Sequence, residues 1–134
     1  MKVEYVPLEW VTRTWDGVKD FISAAVELGK GEYTIDQIRA YVSQGHWDML
    51  VAVDGGVIQG VATVHVYNRP NDRVAFITSA GGKMISNEET FSQVKSYAAS
   101  KGATVIECAA RDSAARLFTR LGLEEKYRIL GVKL

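Results

Sequence analysis

Two segments in the first third of the chain carry apolar residues at every third or fourth position, the spacing of an amphipathic helix. The first predicted helix runs from about Thr14 to Leu28. Its apolar face consists of Trp15, Val18, Phe21, Ile22, Ala25 and Val26. The second begins at Thr34, which forms a capping-box pattern with Gln37, and ends at Gly45.

Apolar runs bounded by turn residues predict strands on either side of these helices. The predicted strands are Lys2 to Val6, Met49 to Val53, Val57 to Tyr67, and Arg73 to about Ser79. The sequence Asp54-Gly55-Gly56 is a strong hairpin signal between the second and third strands. Gly60, inside the third strand, predicts a bulge or a close backbone approach.

The second half alternates between helix and strand patterns. After a loop from Ser79 to Ile85 come a helix, a strand from Thr104 to Ala110, a helix ended by Gly122, and a strand from Lys126 to Leu134. Ser86 and Glu89 have the spacing of a capping box at the start of the first of these helices. Asp112 or Ser113 is the expected cap of the second.

The predicted order is therefore β-α-α-β-β-β-α-β-α-β. Two parallel neighbouring strands joined by a helix require a right-handed crossover, whereas the hairpin requires antiparallel pairs. We expect an α/β (α+β) fold with a mixed central sheet and flanking helices. Residues 1–134 have the length of a single domain.

Composition narrows the classes of function. Sixteen basic and sixteen acidic residues cancel, so charge gives no reason to expect a nucleic acid or membrane partner. The single cysteine, Cys108, excludes an intrachain disulfide, and no apolar run is long enough to span a bilayer. The first residues do not resemble a signal peptide, so we expect a cytoplasmic protein.

Two residues stand out as candidates for acid–base chemistry. Glu107 interrupts an apolar strand, where a carboxylate either faces solvent or, if buried, carries a raised pKa or needs a partner. His65 lies in the long third strand, and an imidazole exchanges protons near neutral pH, although a lone strand histidine is more commonly structural. The two histidines, His46 and His65, are too far apart in sequence to predict a metal site.

The chain resembles the GNAT superfamily of N-acyltransferases over nearly its whole length. The segment Leu50 to Ala62 is similar to the family's central hairpin, with a glycine early in its second strand. The last helix is similar to the family pattern Asn-x-x-Ala-x-x-Leu-Tyr-x-x-x-Gly-Phe. The matching residues are Ala114, Leu117 and Leu121-Gly122-Leu123.

The resemblance implies that acetyl-CoA binds where two parallel strands splay apart, here Arg73 to Ser79 and Thr104 to Ala110. It implies that the pyrophosphate lies at the start of the following helix, where free N–H groups and the helix dipole favour anions. The residues expected to bind the cofactor are Thr78, Ser79, Gly81, Gly82, Lys83 and Arg111.

Two positions depart from the family pattern. The loop Ser79 to Ile85 does not match the family's Gln/Arg-x-x-Gly-x-Gly/Ala, so it also fits a glycine-rich turn before an ordinary helix. Phe118 stands where many members have the tyrosine that protonates the thiolate of CoA, and phenylalanine has no proton to donate. Arg111, at the position of the family's asparagine, is either a cofactor ligand or a solvated residue at a helix start.

Two hypotheses of function follow. The first is an acyl-CoA-dependent N-acyltransferase that passes an acetyl group from acetyl-CoA to a small-molecule or peptide amine, with Glu107 or His65 as the base. The second is a catalytically silent binding or assembly module with a protein partner, as in phage-type relatives of the fold. Aromatic residues near the first two helices line the acceptor site or simply pack the core. They are Trp10, Trp15, Tyr33 and Trp47.

Overall fold

The computed structural model describes residues 1–134, which form one five-stranded sheet with helices on both faces. The strands are β1 (Lys2–Tyr5), β2 (Asp48–Asp54), β3 (Val57–Asn68), β4 (Arg73–Gly82) and β5 (Val105–Cys108). The helices are α1 (Val11–Glu27), α2 (Ile35–Ser43), α3 (Glu88–Ser100) and α4 (Asp112–Arg120), and a 3₁₀ turn at Leu8–Trp10 precedes α1. No helix is long and apolar enough to cross a membrane.

The strands follow one another across the sheet in chain order. The pairs from β1 to β4 are antiparallel, and only β4 and β5 are parallel. A right-handed βαβ connection through α3 is the usual way to join such a pair. The prediction of a mixed central sheet in an α/β fold is therefore confirmed.

Each face of the sheet has its own core because strand side chains alternate between faces. On the first face, α1 and α2 pack against residues of β2 and β3 through a cluster that includes Val18, Ile22, Ile38, Met49 and Val61. On the second face, α3 packs against a cluster that includes Leu50, Val64, Ile77, Phe91 and Val94. Phe118 and Leu121 at the end of α4 pack against this second cluster, so α3 and α4 share a face.

Gly60 was predicted to mark a bulge or a close backbone approach, and the structure shows both. The register between β2 and β3 shifts beside it, because Ala52 pairs with Gly60 whereas Val53 pairs with Ile58. A Cβ atom at Gly60 would lie 2.6 Å from the backbone nitrogen of Met84. The glycine therefore sits beside a bulge and admits the chain segment that leads from β4 to α3.

The residues that cap the helices can be compared with the predicted caps. Thr34 caps α2 in a complete capping box with Gln37, as predicted. Asn87, not Ser86, caps α3, because its side chain accepts a hydrogen bond from the Thr90 N–H. Arg111 is the N-cap residue of α4 and makes no side-chain capping bond, so the predicted caps at Asp112 and Ser113 were wrong.

Three strand predictions need correction. β4 continues to Gly82 because two glycines pair with β3 where a loop was predicted, and β5 is shorter than predicted, ending at Cys108. The segment from Lys126 to Leu134 is not a strand. Its residues are exposed and no backbone pairing is made there, so the final β of the predicted order is absent from this structure. A strand pattern alone does not supply a neighbouring strand.

Candidate active site

A gap opens between the two parallel strands at their carboxyl ends. β4 and β5 pair from Val74 and Val105 up to Ile77 and Cys108. Beyond that point β4 continues to Gly82, while β5 has ended. The last residues of β4 therefore pair with β3 on one side only. The crevice beyond the carboxyl ends of parallel strands is a common ligand site in such folds.

A bulge in β4 marks the point of divergence. Val64 of β3 pairs with Ile77 and Thr63 pairs with Ser79, which leaves Thr78 as an extra residue. The fully buried Thr63 hydroxyl lies 2.7 Å from the Thr78 hydroxyl and 2.6 Å from the Ser79 hydroxyl. The Thr78 hydroxyl also donates to the Thr63 carbonyl at 3.0 Å. These bonds stabilise the bulge, so Thr78 and Ser79 do have a structural role at the gap.

The direction of the β4 backbone beyond the bulge follows from one hydrogen bond. The Lys83 N–H donates to the Gln59 carbonyl of β3 at 2.9 Å. Backbone groups of alternate residues point to opposite sides of an antiparallel strand. Gly81 and Ser79 therefore also face β3, and the N–H and C=O of Ala80 face the gap. A ligand with its own amide groups could pair with Ala80 as a short additional strand.

Gly81 and Gly82 are strand residues that lie under α1. A Cβ atom at Gly81 would lie 2.4 Å from the Phe21 carbonyl oxygen, and one at Gly82 would lie 2.4 Å from the Gln59 carbonyl oxygen. Gly82 also has a positive φ of 64°. Close packing against Phe21 accounts for glycine at position 81, whereas the Gln59 carbonyl and the positive φ account for it at position 82. Neither residue lies in the loop that the sequence suggested.

The turn between β4 and α3 is anchored by two buried side chains, Met84 and Ile85, while Lys83 is exposed. Glu88 and Glu89 occupy the first turn of α3, and the Asn87 cap uses the Thr90 N–H. The two carboxylates suit the helix dipole but repel an anion at the same place. Positive charge for a phosphate group would come from Lys83.

Arg111 lies just beyond the carboxyl end of β5, as Lys83 lies just beyond that of β4. Its side chain is exposed and its carbonyl accepts the Ala115 N–H at the start of α4. Because the two strands are parallel, Lys83 and Arg111 lie at the same end of the sheet. All six expected cofactor residues thus lie beyond the last paired residues of β4 and β5, Ile77 and Cys108.

Glu107 is buried, not open to solvent, with 9% of its side chain exposed. Arg69 binds its two oxygens at 2.9 Å and 2.8 Å, and the Lys126 ammonium binds one of them as well. The hydrogen bonds from Arg69 lower the pKa of Glu107, with Lys126 contributing, although burial opposes this shift. A carboxylate with a lowered pKa is a weak base, which suits Glu107 better to positioning than to proton abstraction.

His65 and Glu107 lie in one row of the same sheet face, with Phe76 between them. At the usual spacing of neighbouring strands, their Cα atoms are about 10 Å apart. The His65 ring packs against Tyr67 at 4.9 Å and near Trp47 at 6.3 Å between centroids. An aromatic strip therefore runs along this face beside the paired part of β4 and β5, and His65 lies nearer to the gap than Tyr67 does.

Tyr33 and Tyr41 extend the aromatic strip across α2. Their rings lie 4.8 Å and 4.4 Å from that of Trp47. At the other end, Arg69 donates a 2.7 Å hydrogen bond to the Tyr67 hydroxyl. Trp10 is exposed at the surface before α1, and Trp15 belongs to the first core.

Sequence reasoning missed Thr63, Tyr67 and Arg69. The buried Glu107 is the signal that requires a cation nearby, but nothing in the sequence says that it comes from the loop after β3. Thr63 is a polar residue within an apolar run, which is a second signal of the same kind. Both become evident only when strand register is known.

Two side chains near the gap are chemically limited. Burial raises the pKa of the Cys108 thiol to about 11, and the Glu107 charge acts in the same direction. The thiol is therefore protonated at neutral pH and is a poor nucleophile. Phe118 packs against the second core and carries no proton to donate.

Comparisons with known proteins identify the fold. No protein-family model matches the sequence, and no curated protein matches it. Among solved structures, an aminoglycoside acetyltransferase from an uncultured soil metagenomic sample, in complex with sisomicin, has 14% identity and a TM-score of 0.72, with 99% of this chain and 95% of that chain covered.

Two further solved structures contain CoA or acetyl-CoA. The aminoglycoside N-acetyltransferase AAC(6')-Iy in complex with CoA has 12% identity and a TM-score of 0.70, over 99% of this chain and 93% of that one. A predicted acetyltransferase from Clostridium acetobutylicum, with acetyl-CoA, has 11% identity and a TM-score of 0.68, over 98% and 95%.

The chain therefore has the fold of the GNAT acetyltransferases, an α/β architecture with a five-stranded mixed sheet. The resemblance inferred from the central hairpin and the last helix is confirmed at the level of fold. The neighbours named here lend no support to a phage-type member. At these identities the likeness establishes architecture, and chemistry has to be argued from the site.

Proposed function

We propose that this protein is an acyl-CoA-dependent N-acyltransferase that transfers an acetyl group from acetyl-CoA to an amine. The main support is that the part of β4 beyond the bulge at Thr78 has no neighbouring strand on the β5 side. Lys83 and Arg111 lie at the open end of this gap. A flexible ligand with amide groups in its middle and phosphates at one end matches that arrangement.

The residues at the gap fit acetyl-CoA in part. The Ala80 N–H and C=O would pair with the amides of pantetheine, and Lys83 and Arg111 would bind the phosphates. Thr78 and Ser79 would shape the gap through their bonds to Thr63. Gly81 and Gly82 would hold β4 close under α1, and the carboxylates of Glu88 and Glu89 direct phosphate toward Lys83 and away from the helix start.

Acetyl-CoA supplies an activated acyl carbon for attack by an amine. The acceptor amine would approach from the face that carries the aromatic strip, where His65 takes its proton directly or through water. Glu107 would orient Arg69, which in turn holds the Tyr67 hydroxyl and so fixes the Tyr67 ring against His65. The protonated thiol of Cys108 favours direct transfer over an acyl-cysteine intermediate.

Phe118 leaves the thiolate of CoA without the usual tyrosine acid. Water would protonate the thiolate, which would form at the end of pantetheine opposite to Lys83 and Arg111. We propose small-molecule amines as acceptors, and aminoglycosides are the first to test because two of the structural neighbours act on them.

With its single free cysteine, the chain suits a cytoplasmic protein, and residues 1–134 would work as a single domain.

Calorimetric titration with acetyl-CoA tests the proposal. We expect micromolar binding by the wild type and at least a tenfold loss in Lys83→Glu, because the substitution reverses the charge at the phosphate end. Lys30→Glu is the matched control, since Lys30 is exposed in the loop between α1 and α2 and the net charge changes equally. No heat at millimolar acetyl-CoA would reject the acyltransferase.

A catalytically silent binding module is the second candidate. The acidic first turn of α3 and Phe118 favour it, because both are unusual for the chemistry of the fold. A silent module that does not bind acetyl-CoA would give no heat in the titration with either the wild type or Lys83→Glu. Binding of acetyl-CoA without release of CoA in the presence of a panel of amines would point to a cofactor-binding module.

A further inference from the structure

Two cavities lie side by side at the end of the sheet that is opposite to the gap. The first has a volume of about 180 Å³ and lies between β1, the 3₁₀ turn and the end of α2. The second has a volume of about 190 Å³ and lies beside the end of α3 and the first residue of β4. Gly45 and Asp48 line both cavities. Each has the volume of about six water molecules, so the pair suits a small organic ligand.

The first cavity is apolar. Seven of the nine residues that line it are hydrophobic, and Leu8, Val42 and Trp47 are among them. Leu8 is 50% exposed and Tyr5 is 44% exposed, so the apolar surface continues from the cavity to the outside of the protein. A concave apolar surface that is open to solvent fits the apolar part of a ligand.

The second cavity carries charges of both signs. Asp48, Arg73 and Lys101 line it, over a floor that includes Val64 and Val66. Asp48 pairs with Val64 of β3, and Val64 belongs to the core under α3, so Asp48 lies on that face of the sheet. Because α3 ends at Ser100, the charged side chains stand where the helix no longer covers the sheet.

The Asp48 carboxylate is engaged through one of its two oxygens. Its Oδ2 accepts a hydrogen bond from the Tyr97 hydroxyl and lies 3.6 Å from the Lys101 ammonium. Burial and the hydrogen bond to Asp48 raise the pKa of Tyr97, so its hydroxyl remains a donor at neutral pH. Oδ1 makes no hydrogen bond, and no side-chain atom without a partner is buried, so Oδ1 is open to a ligand.

The Arg73 guanidinium is held at two of its three nitrogens. Its Nε donates to the Lys101 carbonyl at 2.8 Å, and its Nη1 donates to the Asn68 side chain at 3.0 Å. Nη2 makes no hydrogen bond and is open for the same reason as the Asp48 oxygen. The guanidinium is therefore fixed in orientation with donors left over, which suits it to bind a carboxylate.

We propose that the two cavities form one binding site for an apolar α-amino acid. The side chain of the amino acid occupies the first cavity, beside Leu8 and Trp47. Its ammonium group binds the Oδ1 atom of Asp48, which lines both cavities, and its carboxylate binds Arg73 and Lys101. An apolar acid without the ammonium group would leave Asp48 unpaired beside a second anion.

The site is separate from the gap at which acetyl-CoA is proposed to bind. β4 runs from Arg73 to Gly82, so its two ends are about 30 Å apart. An amino acid at the Arg73 end is therefore out of reach of an acetyl group in the gap, and it is a bound ligand rather than an acceptor. Its binding does not depend on the proposed acyltransferase activity.

Calorimetric titration of the full chain with L-phenylalanine tests the proposal. We expect saturable binding with a dissociation constant below about 1 mM. 3-Phenylpropionate lacks the ammonium group and phenethylamine lacks the carboxylate, so each is expected to bind at least about tenfold more weakly. Absence of saturable binding by L-phenylalanine would overturn the proposal, as would equal affinity for either analogue.

Substitutions at each cavity locate the bound amino acid. Leu8→Asp places a charge at the apolar cavity, and Arg73→Gln removes the partner of the carboxylate. Each is expected to weaken the binding of L-phenylalanine at least about tenfold. Leu8 is half exposed, so its substitution does not threaten folding.

Leu28→Asp and Lys126→Gln are the matched controls. Leu28 is 55% exposed at the end of α1, and Lys126 lies beside Glu107 on the face that carries the aromatic strip. Both variants are expected to bind L-phenylalanine like the wild type. Wild-type affinity in Leu8→Asp or Arg73→Gln would overturn the proposal. Loss of binding in Lys126→Gln would place the amino acid at the aromatic strip and would also overturn it.

Discussion

Glu107 shows how a single buried charge organises its surroundings. Its carboxylate draws Arg69 from the loop after β3 and Lys126 from the segment after α4 to the same place on β5. Arg69 in turn orders Tyr67. Three parts of the chain that are distant in sequence are thus held together by one side chain, because a buried carboxylate requires compensation.

We expect Glu107→Gln to lower the free energy of unfolding by about 1 to 3 kcal/mol at neutral pH, since it removes charge-assisted hydrogen bonds from a buried group. The pKa of Glu107 is lower in the folded protein than its ordinary value of 4.5. The ionised carboxylate therefore stabilises the wild type fully at pH values above 4.5, and this stabilisation is lost as the pH falls through the lower pKa of the folded state. The difference between variant and wild type should therefore shrink below pH 4.5.

Urea denaturation at neutral and acidic pH measures both effects. Glu4→Gln is the control, because Glu4 is an exposed residue of β1 whose partner, Lys2, is also exposed. It should change the stability by less than about 1 kcal/mol at any pH. Equal effects of the two substitutions would contradict the compensating role of Glu107.

His65 is the residue whose substitution bears most directly on the reaction. If it takes the proton of the acceptor amine, His65→Gln should lower kcat by about 10²- to 10⁴-fold, the usual contribution of a general base. The affinity for acetyl-CoA should stay close to that of the wild type. Initial rates of CoA release, with calorimetry for the affinity, measure the two quantities.

His46→Gln is the control for that substitution, because His46 lies in the turn after α2 and reaches the aromatic strip only through Tyr41. Its kcat should be close to that of the wild type. A wild-type kcat in His65→Gln would exclude His65 as the base.

At the scale of elements, β4 is the part of the fold on which the site depends. It pairs on both sides as far as Ile77 and on one side beyond Thr78. The side chain of Thr63 reaches across from β3 to hold the two residues at the transition. A bulge of this kind changes the pairing of a strand without a loop.

Thr63→Val tests the dependence of the gap on those bonds. The side chains are nearly the same size, so the loss is mainly of hydrogen bonds within a buried cluster, and we expect about 1 to 2 kcal/mol less stability. The affinity for acetyl-CoA should also fall, because Thr78 and Ser79 lose a partner that fixes the edge of β4. Thermal unfolding and calorimetry measure the two changes.

Thr119→Val is the matched control, since the Thr119 hydroxyl is exposed on α4 and bonds only to the Ala115 carbonyl of the same helix. It should leave the affinity for acetyl-CoA unchanged. If Thr63→Val binds acetyl-CoA with the affinity of the wild type, the hydrogen bonds at the bulge are not needed for acetyl-CoA binding.

At the scale of the whole molecule, the sequence predicted the sheet well because its strands and turns carry local signals. The Asp54-Gly55-Gly56 turn and the capping box at Thr34 act over a few residues, and both formed as predicted. The predicted end of β4, at about Ser79, was wrong because glycine usually ends a strand. Here the packing of Phe21 overrides that preference.

The site was predictable in part for the same reason. The order of elements brings Thr78, Ser79, Lys83 and Arg111 to one end of the parallel pair, so topology alone places them together. The partners of Glu107 depend on contacts across 38 and 19 positions of sequence, for which no local pattern exists. The predicted last strand failed because pairing needs an edge that its own pattern does not specify.

The extra residue at Thr78 also changes which residues of β4 turn their backbone groups toward β5. Arg73 turns its carbonyl to β5, and odd-numbered positions do so up to the bulge, whereas Ala80 does so after it. If β4 kept its length but paired without the bulge, its even-numbered positions would all face β3, and the open backbone groups of Ala80 would be turned onto β3. The open backbone groups of Ala80 therefore depend on a one-residue change of register and not on the side chain at that position, so we expect substitution of Ala80 to be tolerated better than loss of the bulge.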